Sequence, residues 1–456
     1  MTATWSGRPP VLPLTLRAGP PGTVPTNISS LGGRPVIIAD FDLSVRRALH
    51  PADGEALAAG AHAALAARVP LVVVFASSGS DVSDGLAATH GWGCAARAIA
   101  RCSGVVPVVM AVTGPALSGP ALLLGLADQV VMTEDAYAYM SGPQMVRAIT
   151  GVSVAVDELG GPGAHARWSG IASLVVADRA AALEALGALL AYLPAHVDHE
   201  APCWPTEDPV DRPTPEAGAL LPASSMGGYD VRAVIEAVVD DGDVFELRPR
   251  WAPNLVTALA TIGGRPVGVV ANQPNTVAGT LDIPSSQKGA RFVGFCDAFN
   301  LGLLTLVDTP GFYPGKDLEW RGMIRHGAQL AFAFARATVP RVCVALRKAY
   351  GGAYIVMDSR HMGNDVYLAW PNAEIAVMGA KGAAEILHRG ATAQERVERE
   401  RAYDERFLNP YAAAERGSVD AVIDPADTRR EVAAAFELLA TKQEQLVRRR
   451  HDNMPL

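Results

Sequence analysis

The sequence lacks several features on which common functions depend. Its five cysteines among 456 residues form no CxxC pair, which is typical of reduced thiols in a cytoplasmic protein. It contains no GxxxxGK[ST] phosphate loop, no GxSxG nucleophile motif and no convincing metal-ligand set. The formal net charge of −8 argues against nucleic-acid binding. Stabilisation of a negatively charged oxygen is the chemistry that remains open to this chain.

Signals for membranes and export are also missing. No charge occurs from Cys102 to Ala127, a stretch long enough to cross a bilayer. Three prolines and four glycines interrupt it, so we interpret it as a buried strand, a turn and a buried helix. Residues 1–24 lack the basic start and apolar run of a signal peptide. We expect a flexible N-terminal arm on a cytoplasmic protein that contacts no membrane.

Proline and an internal repeat divide the chain into two halves. Prolines cluster at 194, 202, 205, 209, 213, 215 and 222, which predicts a linker or surface wrap over 201–228. The segment Gly-Gly-Arg-Pro-Val occurs at 32–36 and again at 263–267, and further landmarks recur at a spacing of 233 residues. Several landmarks in the same order indicate a duplicated domain. We therefore predict one domain over 25–200 and a second over 229–456.

Each half reads as a repeating strand, turn and helix. Short apolar, β-branched runs such as 69–76, 106–112, 303–308 and 342–346 are typical of buried parallel strands. The alanine-rich segment 52–69 is typical of a helix between such strands. The fold class predicted is therefore α/β in both halves.

Two glycine-rich turns are candidates for holding an anion. Residues 348–354 (KAYGGAY) follow a predicted strand and open a helix, where successive backbone N–H groups lack partners and can hold an oxyanion. A tight turn that needs glycine only for its backbone is an equal alternative. Residues 378–383 (MGAKGA) form a second such turn, for which a simple helix cap is the favoured interpretation.

The C-terminal half also resembles a known family. Its motifs closely resemble those of carboxyltransferase (β) subunits of biotin-dependent acyl-CoA carboxylases, the acetyl- and propionyl-CoA carboxylase family. The stretches that carry this resemblance are YDVRAVIEAVVDDGDVFEL (229–247), GRPVGVVANQP (264–274), ARFVGFCDAFN (290–300), VDTPGFYPG (307–315), IRHGAQL (324–330), RKAYGGAYIVM (347–357), AWPNAEIAVMGAKGA (369–383) and the ending HDNMPL. In the first half, SGVVPVVMAVTGP (103–115) and DELGGPGAHARWSG (157–170) are similar more loosely.

The resemblance implies two fused crotonase-type (ClpP/crotonase) ββα-spiral domains and a homo-oligomer, a hexamer built from dimers. It implies carboxyl transfer from biotin, carried by a biotin carboxylase/biotin carrier α subunit, to a short acyl-CoA through an oxyanion-stabilised enolate. The family pattern places catalytic backbone donors at Gly352 and Ala353 on the biotin side and at Ser118 and Gly119 on the acyl side. Substrate-binding positions by the same pattern are Gly311, Phe312, Gly351, Tyr354, Ile355, Gly379 and Ala380, and no metal is implied.

The N-terminal half departs from that pattern where an acyl group should bind. A family DSGGAR-like loop is replaced by ASSGSD (76–81), so that Asp81 stands where a basic residue is usual. Pro120 follows Ser118 and Gly119, and proline has no N–H to donate. Two alternatives therefore stay open: a specialised paralogue that decarboxylates or uses an unusual acyl thioester, and a non-catalytic scaffold subunit of a mixed oligomer.

Overall fold

The computed structural model describes residues 24–41 and 48–455, together with the backbone of Thr15–Leu16. The chain forms two compact units, Met1–Pro202 and Cys203–Leu456. Most of the arm predicted over 1–24 lies outside the described residues.

The first unit is an α/β domain around one eight-stranded sheet. Its strands are β1 (Thr15–Leu16), β2 (Thr26–Leu31), β3 (Arg34–Asp40), β4 (Leu71–Ser77), β5 (Val108–Leu117), β6 (Gln129–Thr133), β7 (Tyr137–Tyr139) and β8 (Leu174–Val176). Their order is β1-β2-β3-β4-β5-β6-β8, with β7 beside β5. Strands β1 to β3 pair antiparallel and the remaining pairs are parallel.

Helices cover this sheet. They are α1 (Pro51–Ala67), α2 (Leu86–Cys102), α3 (Pro143–Thr150), α4 (Val156–Gly160), α5 (Pro162–Ala164) and α6 (Arg179–Ala191), with 3-10 turns at Val82–Asp84 and Gly119–Leu126 and a π-helical turn at His165–Ser169. All residues of β4 are buried, as expected of a parallel strand covered on both faces. The buried helix predicted before Ala127 is instead a 3-10 helix, and its Leu122 is 51% exposed.

The second unit repeats the same topology. Its strands are β9 (Phe245–Glu246), β10 (Leu255–Ile262), β11 (Arg265–Asn272), β12 (Gly302–Thr309), β13 (Arg341–Tyr350), β14 (Val366–Ala369), β15 (Glu374–Ala376) and β16 (Ala421–Val422). Their order is β16-β14-β13-β12-β11-β10-β9, with β15 beside β13. Strands β9 to β11 pair antiparallel and the others are parallel.

The described part of the second unit contains ten helices. The full set is α7 (Pro215–Ala219), α8 (Val231–Val238), α9 (Ile283–Ala298), α10 (Lys316–Trp320), α11 (Met323–Arg336), α12 (Gly351–Val356), α13 (Ala380–Leu387), α14 (Ala393–Phe407), α15 (Pro410–Ala414) and α16 (Thr428–Leu438), with 3-10 turns at Asp240–Gly242, Val277–Gly279, Arg360–Met362 and Pro425–Asp427. The predicted duplication is confirmed, because even the register irregularity between β4 and β5 recurs between β12 and β13.

The proline-rich segment is grouped with the second unit from Cys203 onward. The Trp204 N–H donates to the Gly264 carbonyl at 2.7 Å. The Arg429 side chain is fully buried and donates to the carbonyls of Asp208 and Pro209. It also pairs with the Asp240 carboxylate at 2.7 Å. These bonds satisfy backbone groups of a proline-rich segment whose only described helix is the short α7.

Candidate active site

In the second unit, β13 passes directly into α12 at Gly351. Gly351 has φ +56°, a left-handed conformation that glycine adopts without strain. A Cβ at this position would lie 2.9 Å from the Val377 carbonyl oxygen. The turn therefore requires glycine for its backbone conformation and for space.

The first turn of α12 carries the two predicted biotin-side donors. Its N–H groups have no acceptors inside the helix, because the chain before it is a strand. Among the described residues, the N-cap Tyr350 makes no side-chain cap hydrogen bond. Gly352 is exposed and Ala353 is buried. The amides of Gly352 and Ala353 can thus donate to a negatively charged oxygen outside the turn.

The loop after β12 lies against this turn. A Cβ on Gly352 would be 3.5 Å from the Phe312 ring. The Leu281 N–H donates to the Gly311 carbonyl at 3.1 Å, and the Tyr313 N–H donates to the Leu281 carbonyl at 2.8 Å. This pairing holds the loop, so the structure brings together Gly311, Phe312 and the Gly352 turn.

A third turn borders the same region. Gly379 precedes α13, and a Cβ there would lie 3.5 Å from the Tyr350 ring. The Tyr350 hydroxyl donates to the Glu374 carboxylate, which holds that ring between β13 and β15. Gly379 and Ala380, both partly buried, are therefore neighbours of the Gly351 turn.

The two predicted side-chain contacts on α12 differ in exposure. Ile355 is half-buried. Tyr354 is 7% exposed and meets Tyr367 edge-on with ring centroids 5.9 Å apart. Burial raises the pKa of Tyr354 to about 12. Tyr354 is accordingly a core residue beneath the turn, and its role as a substrate contact stays a prediction.

A buried ion pair behind the turn was not predicted. The Arg347 Nε donates to the Asp308 carboxylate at 2.9 Å, with side chains 8% and 1% exposed. That carboxylate also accepts the Lys348 N–H at 3.1 Å. Burial raises the pKa of Asp308, and Arg347 opposes that shift. The pair joins the ends of β12 and β13, where both site loops begin.

The same arginine reaches the proline-rich segment. Its Nη1 donates to the Gly227 carbonyl at 2.8 Å, and its guanidinium lies 5.1 Å from the centroid of the Tyr229 ring. The acidic residue of the 307–315 motif was the available signal for this pair. Its partner is 39 residues away along the chain, beyond the reach of local patterns.

The first unit has the corresponding turn at the end of β5. Ser118 has φ +59°, nearly the value of Gly351 at the equivalent position. The Ser118 N–H donates to the Tyr139 carbonyl at 2.9 Å, so this amide is already used within the fold. The prediction of a Ser118 backbone donor is corrected: of the predicted acyl-side pair, the amide of Gly119 is the one left to donate.

The indole of Trp92 lies against this first-unit turn, and Asp81 makes its own local contacts. A Cβ on Gly119 would lie 3.0 Å from the indole of Trp92. Asp81 does not stand as an isolated charge, because its carboxylate caps the Ser83 N–H at 2.9 Å and lies 3.3 Å from the His50 ring. Asp84 contacts the other nitrogen of that ring at 2.6 Å.

Within the described residues, no group of three or more His, Cys, Asp or Glu side chains is arranged to hold a metal ion. No helix in the described part of the chain combines the length and apolar character needed to span a membrane.

Comparison with solved structures identifies the class of protein. The two crotonase-type α/β domains match the transcarboxylase 12S subunit, a hexamer solved with methylmalonyl-CoA and methylmalonic acid bound, with a TM-score of 0.93 and 42% identity over 95% of this chain and 85% of that chain. A single-chain, multi-domain long-chain acyl-CoA carboxylase matches with a TM-score of 0.77 and 28% identity over 92% of this chain and 42% of that chain. The fold is that of a carboxyltransferase.

The sequence comparisons give the family. The carboxyl transferase domain model matches residues 15–454, and the chain belongs to that family, as a carboxyltransferase β subunit of the acyl-CoA carboxylases. The methylmalonyl-CoA carboxyltransferase 12S subunit of Propionibacterium freudenreichii is 41% identical over 96% of this chain and 84% of its own length. The propionyl-CoA carboxylase β chain of Roseobacter denitrificans is 43% identical over 85% of this chain and 76% of its own length. The family and fold predicted from the sequence are confirmed.

Proposed function

We propose that this chain moves a carboxyl group between biotin on a partner's carrier domain and the α-carbon of a short acyl-CoA, acetyl-CoA or propionyl-CoA. The observation that carries the proposal is the strand-to-helix turn at Gly352 and Ala353. It offers two amides without acceptors inside the helix, in a chain that belongs to the carboxyltransferase family. Relatives named for propionyl-CoA and methylmalonyl-CoA support the choice of a small acyl group.

The residues around Gly352 fit the flat ureido ring of biotin. Gly352 is exposed, and a Cβ there would approach the Phe312 ring to 3.5 Å. The missing side chain leaves a slot between the amides and an aromatic face. When bound, biotin supplies the carboxyl group. Gly352 and Ala353 would donate to its ureido oxygen, and Gly311, Phe312, Gly379 and Ala380 would hold the ring.

The acyl-side residues have a parallel task. Removal of the α-proton from an acyl thioester places negative charge on the thioester oxygen, and the Gly119 N–H donates to that oxygen. Ile355 limits the size of the acyl group, as the resemblance implies. The assembly proposed is a homo-oligomer, built from dimers into a hexamer, that works in the cytoplasm with a biotin carboxylase/biotin carrier α subunit.

The transfer is tested in the reverse direction with the full chain. Methylmalonyl-CoA and malonyl-CoA are incubated with biotin, and propionyl-CoA or acetyl-CoA is measured by chromatography. Gly352→Pro removes one donor at a first-turn position that tolerates proline, and we expect a loss of about 10²–10³-fold in kcat. Ala393→Pro places proline at the exposed first position of α14, outside the candidate site, so it serves as the matched control. Full activity in Gly352→Pro would contradict the assignment.

One observation favours a second candidate. The first-unit turn presents fewer amide donors than the second-unit turn, because Ser118 donates to Tyr139 and Pro120 has no N–H. A specialised paralogue that decarboxylates a β-carboxy acid needs only one oxyanion turn. Release of CO2 without biotin would support that function. Absence of both activities, with assembly onto a catalytic homologue, would support a scaffold role.

A further inference from the structure

Ser118 has a backbone conformation that disfavours a side chain. Its φ and ψ are +59° and −149°, a region in which the Cβ of an L-residue is strained. The equivalent Gly351 has φ +56°. A glycine would therefore relieve the turn of the first unit, yet serine occupies it. Backbone strain of this kind clusters at residues with a functional role.

The backbone of this turn is short of donors. The Ser118 N–H donates to the Tyr139 carbonyl at 2.9 Å, and Pro120 stands where Ala353 provides an amide in the second unit. One amide, that of Gly119, remains for a ligand. A developing oxyanion is held best by two or more donors.

The Ser118 hydroxyl can supply the missing donor. Ser118 is exposed, and its Cβ lies 3.5 Å from where a Cβ on Gly79 would be, so glycine leaves it room. Within residues 24–41 and 48–455, this hydroxyl has no hydrogen-bond partner. A serine hydroxyl carries one proton to donate and can rotate toward an acceptor.

We propose that the Ser118 hydroxyl and the Gly119 amide together form the acyl-side oxyanion hole of this carboxyltransferase. The serine replaces a backbone donor with a side-chain donor. Its O–H donates to the thioester oxygen throughout the reaction, so no proton is transferred and no covalent bond forms at serine. The proposal rests on the proposed function and adds a catalytic side chain to it.

Three variants of the full chain test the donor. Ser118→Gly removes the hydroxyl and the strain, so we expect an unchanged or higher Tm with a kcat for carboxyl transfer lower by about 10²–10³-fold. Ser118→Ala removes only the hydroxyl and should lose the same activity. Ser118→Gly combined with Pro120→Ala restores a backbone N–H at position 120 and should recover most of the lost kcat. A merely structural serine predicts no such recovery.

A second measurement does not depend on turnover. Propionyl-CoA labelled with ¹³C at the thioester carbonyl is bound to each protein, and its carbonyl band is followed by isotope-edited infrared spectroscopy. We expect a lower frequency in the wild type than in Ser118→Gly, because a hydrogen bond weakens the carbonyl bond. Transfer by the wild type with full activity in Ser118→Gly would overturn the donor role alone. An acyl ester found on Ser118 by mass spectrometry would overturn it in favour of a nucleophile. If the wild type shows no carboxyl transfer and its carbonyl band does not differ from that of Ser118→Gly, both proposals are overturned.

Discussion

Replacing Arg347 with methionine tests how the candidate site is supported from behind. Arg347 and Asp308 are 8% and 1% exposed and pair at 2.9 Å. Methionine fills a similar volume without charge, so Arg347→Met leaves the Asp308 carboxylate buried without its cationic partner, although it still accepts the Lys348 N–H. The bond from Arg347 to the Gly227 carbonyl is lost as well.

The expected loss is large because the remaining charge is buried. Removing one partner of a buried pair lowers the free energy of unfolding by about 3–5 kcal/mol. For a unit of this size, each kcal/mol lowers Tm by about 2–4 °C, so the drop should be about 6–20 °C. Urea unfolding followed by tryptophan fluorescence gives the free energy of unfolding, and scanning calorimetry gives Tm.

Two controls separate buried charge from other effects. Arg401→Met breaks an ion pair with Glu405 whose side chains are 81% and 64% exposed, and it should change the free energy of unfolding by less than about 1 kcal/mol. Arg347→Met combined with Asp308→Asn removes the buried charge and should recover part of the loss. A free energy of unfolding of Arg347→Met within about 1 kcal/mol of the wild-type value would refute the reasoning.

The pH dependence of the variant follows from the same pair. Burial raises the pKa of Asp308, and Arg347 opposes that shift, so the pKa should rise further in Arg347→Met. A carboxyl whose pKa is raised in the folded state binds more protons when folded than when unfolded. Stability therefore falls as the pH rises from the unfolded-state pKa to the folded-state pKa. The deficit of the variant should therefore be greatest at high pH and shrink on acidification.

Three further predictions concern single contacts of the second unit. Gly351→Ala would place a Cβ 2.9 Å from the Val377 carbonyl oxygen at φ +56°. We expect it to lower the free energy of unfolding by about 1–3 kcal/mol and to lower kcat. The control Gly417→Ala, at φ +71° with nothing within 4 Å, gives the effect of the backbone conformation alone in thermal melts. Lys288→Met removes an ammonium that donates to the carbonyls of Arg248, Trp251, Ala252 and Leu255. Urea unfolding should show a free energy of unfolding lower by about 2–4 kcal/mol. A smaller loss than in the control Lys316→Met, at an exposed lysine, would contradict this prediction. Tyr350→Phe removes the hydroxyl that donates to Glu374 and should lower Tm and kcat together, and a change in neither would show that this bond does not hold the turn.

Local patterns predicted the turn of the second unit well. Glycines at the end of an apolar strand indicated the Gly351 turn, and the structure places it at the junction of β13 and α12. The strand and helix patterns likewise predicted the duplicated α/β topology. Such features succeed because neighbouring residues decide them: side-chain periodicity, β-branching and the need for glycine at positive φ.

Contacts between different elements were beyond the reach of local patterns. The ring of Tyr354, a predicted substrate contact, packs under the turn against Tyr367. The proline-rich segment was predicted to be a linker or a surface wrap, and Arg429 binds it to the second unit. No periodicity in the sequence reveals either contact.

The sequence by itself determined the strand-to-helix turns, the duplicated order of elements and, through its motifs, the carboxyltransferase family. Only the tertiary structure decided which groups at those turns are free to act. It showed that the Ser118 amide is held by Tyr139, and that Asp308 and Arg347 form a buried pair behind the other turn. The physical reason is that backbone conformation is encoded locally, whereas the partner of each donor or charge depends on which strands the fold brings together.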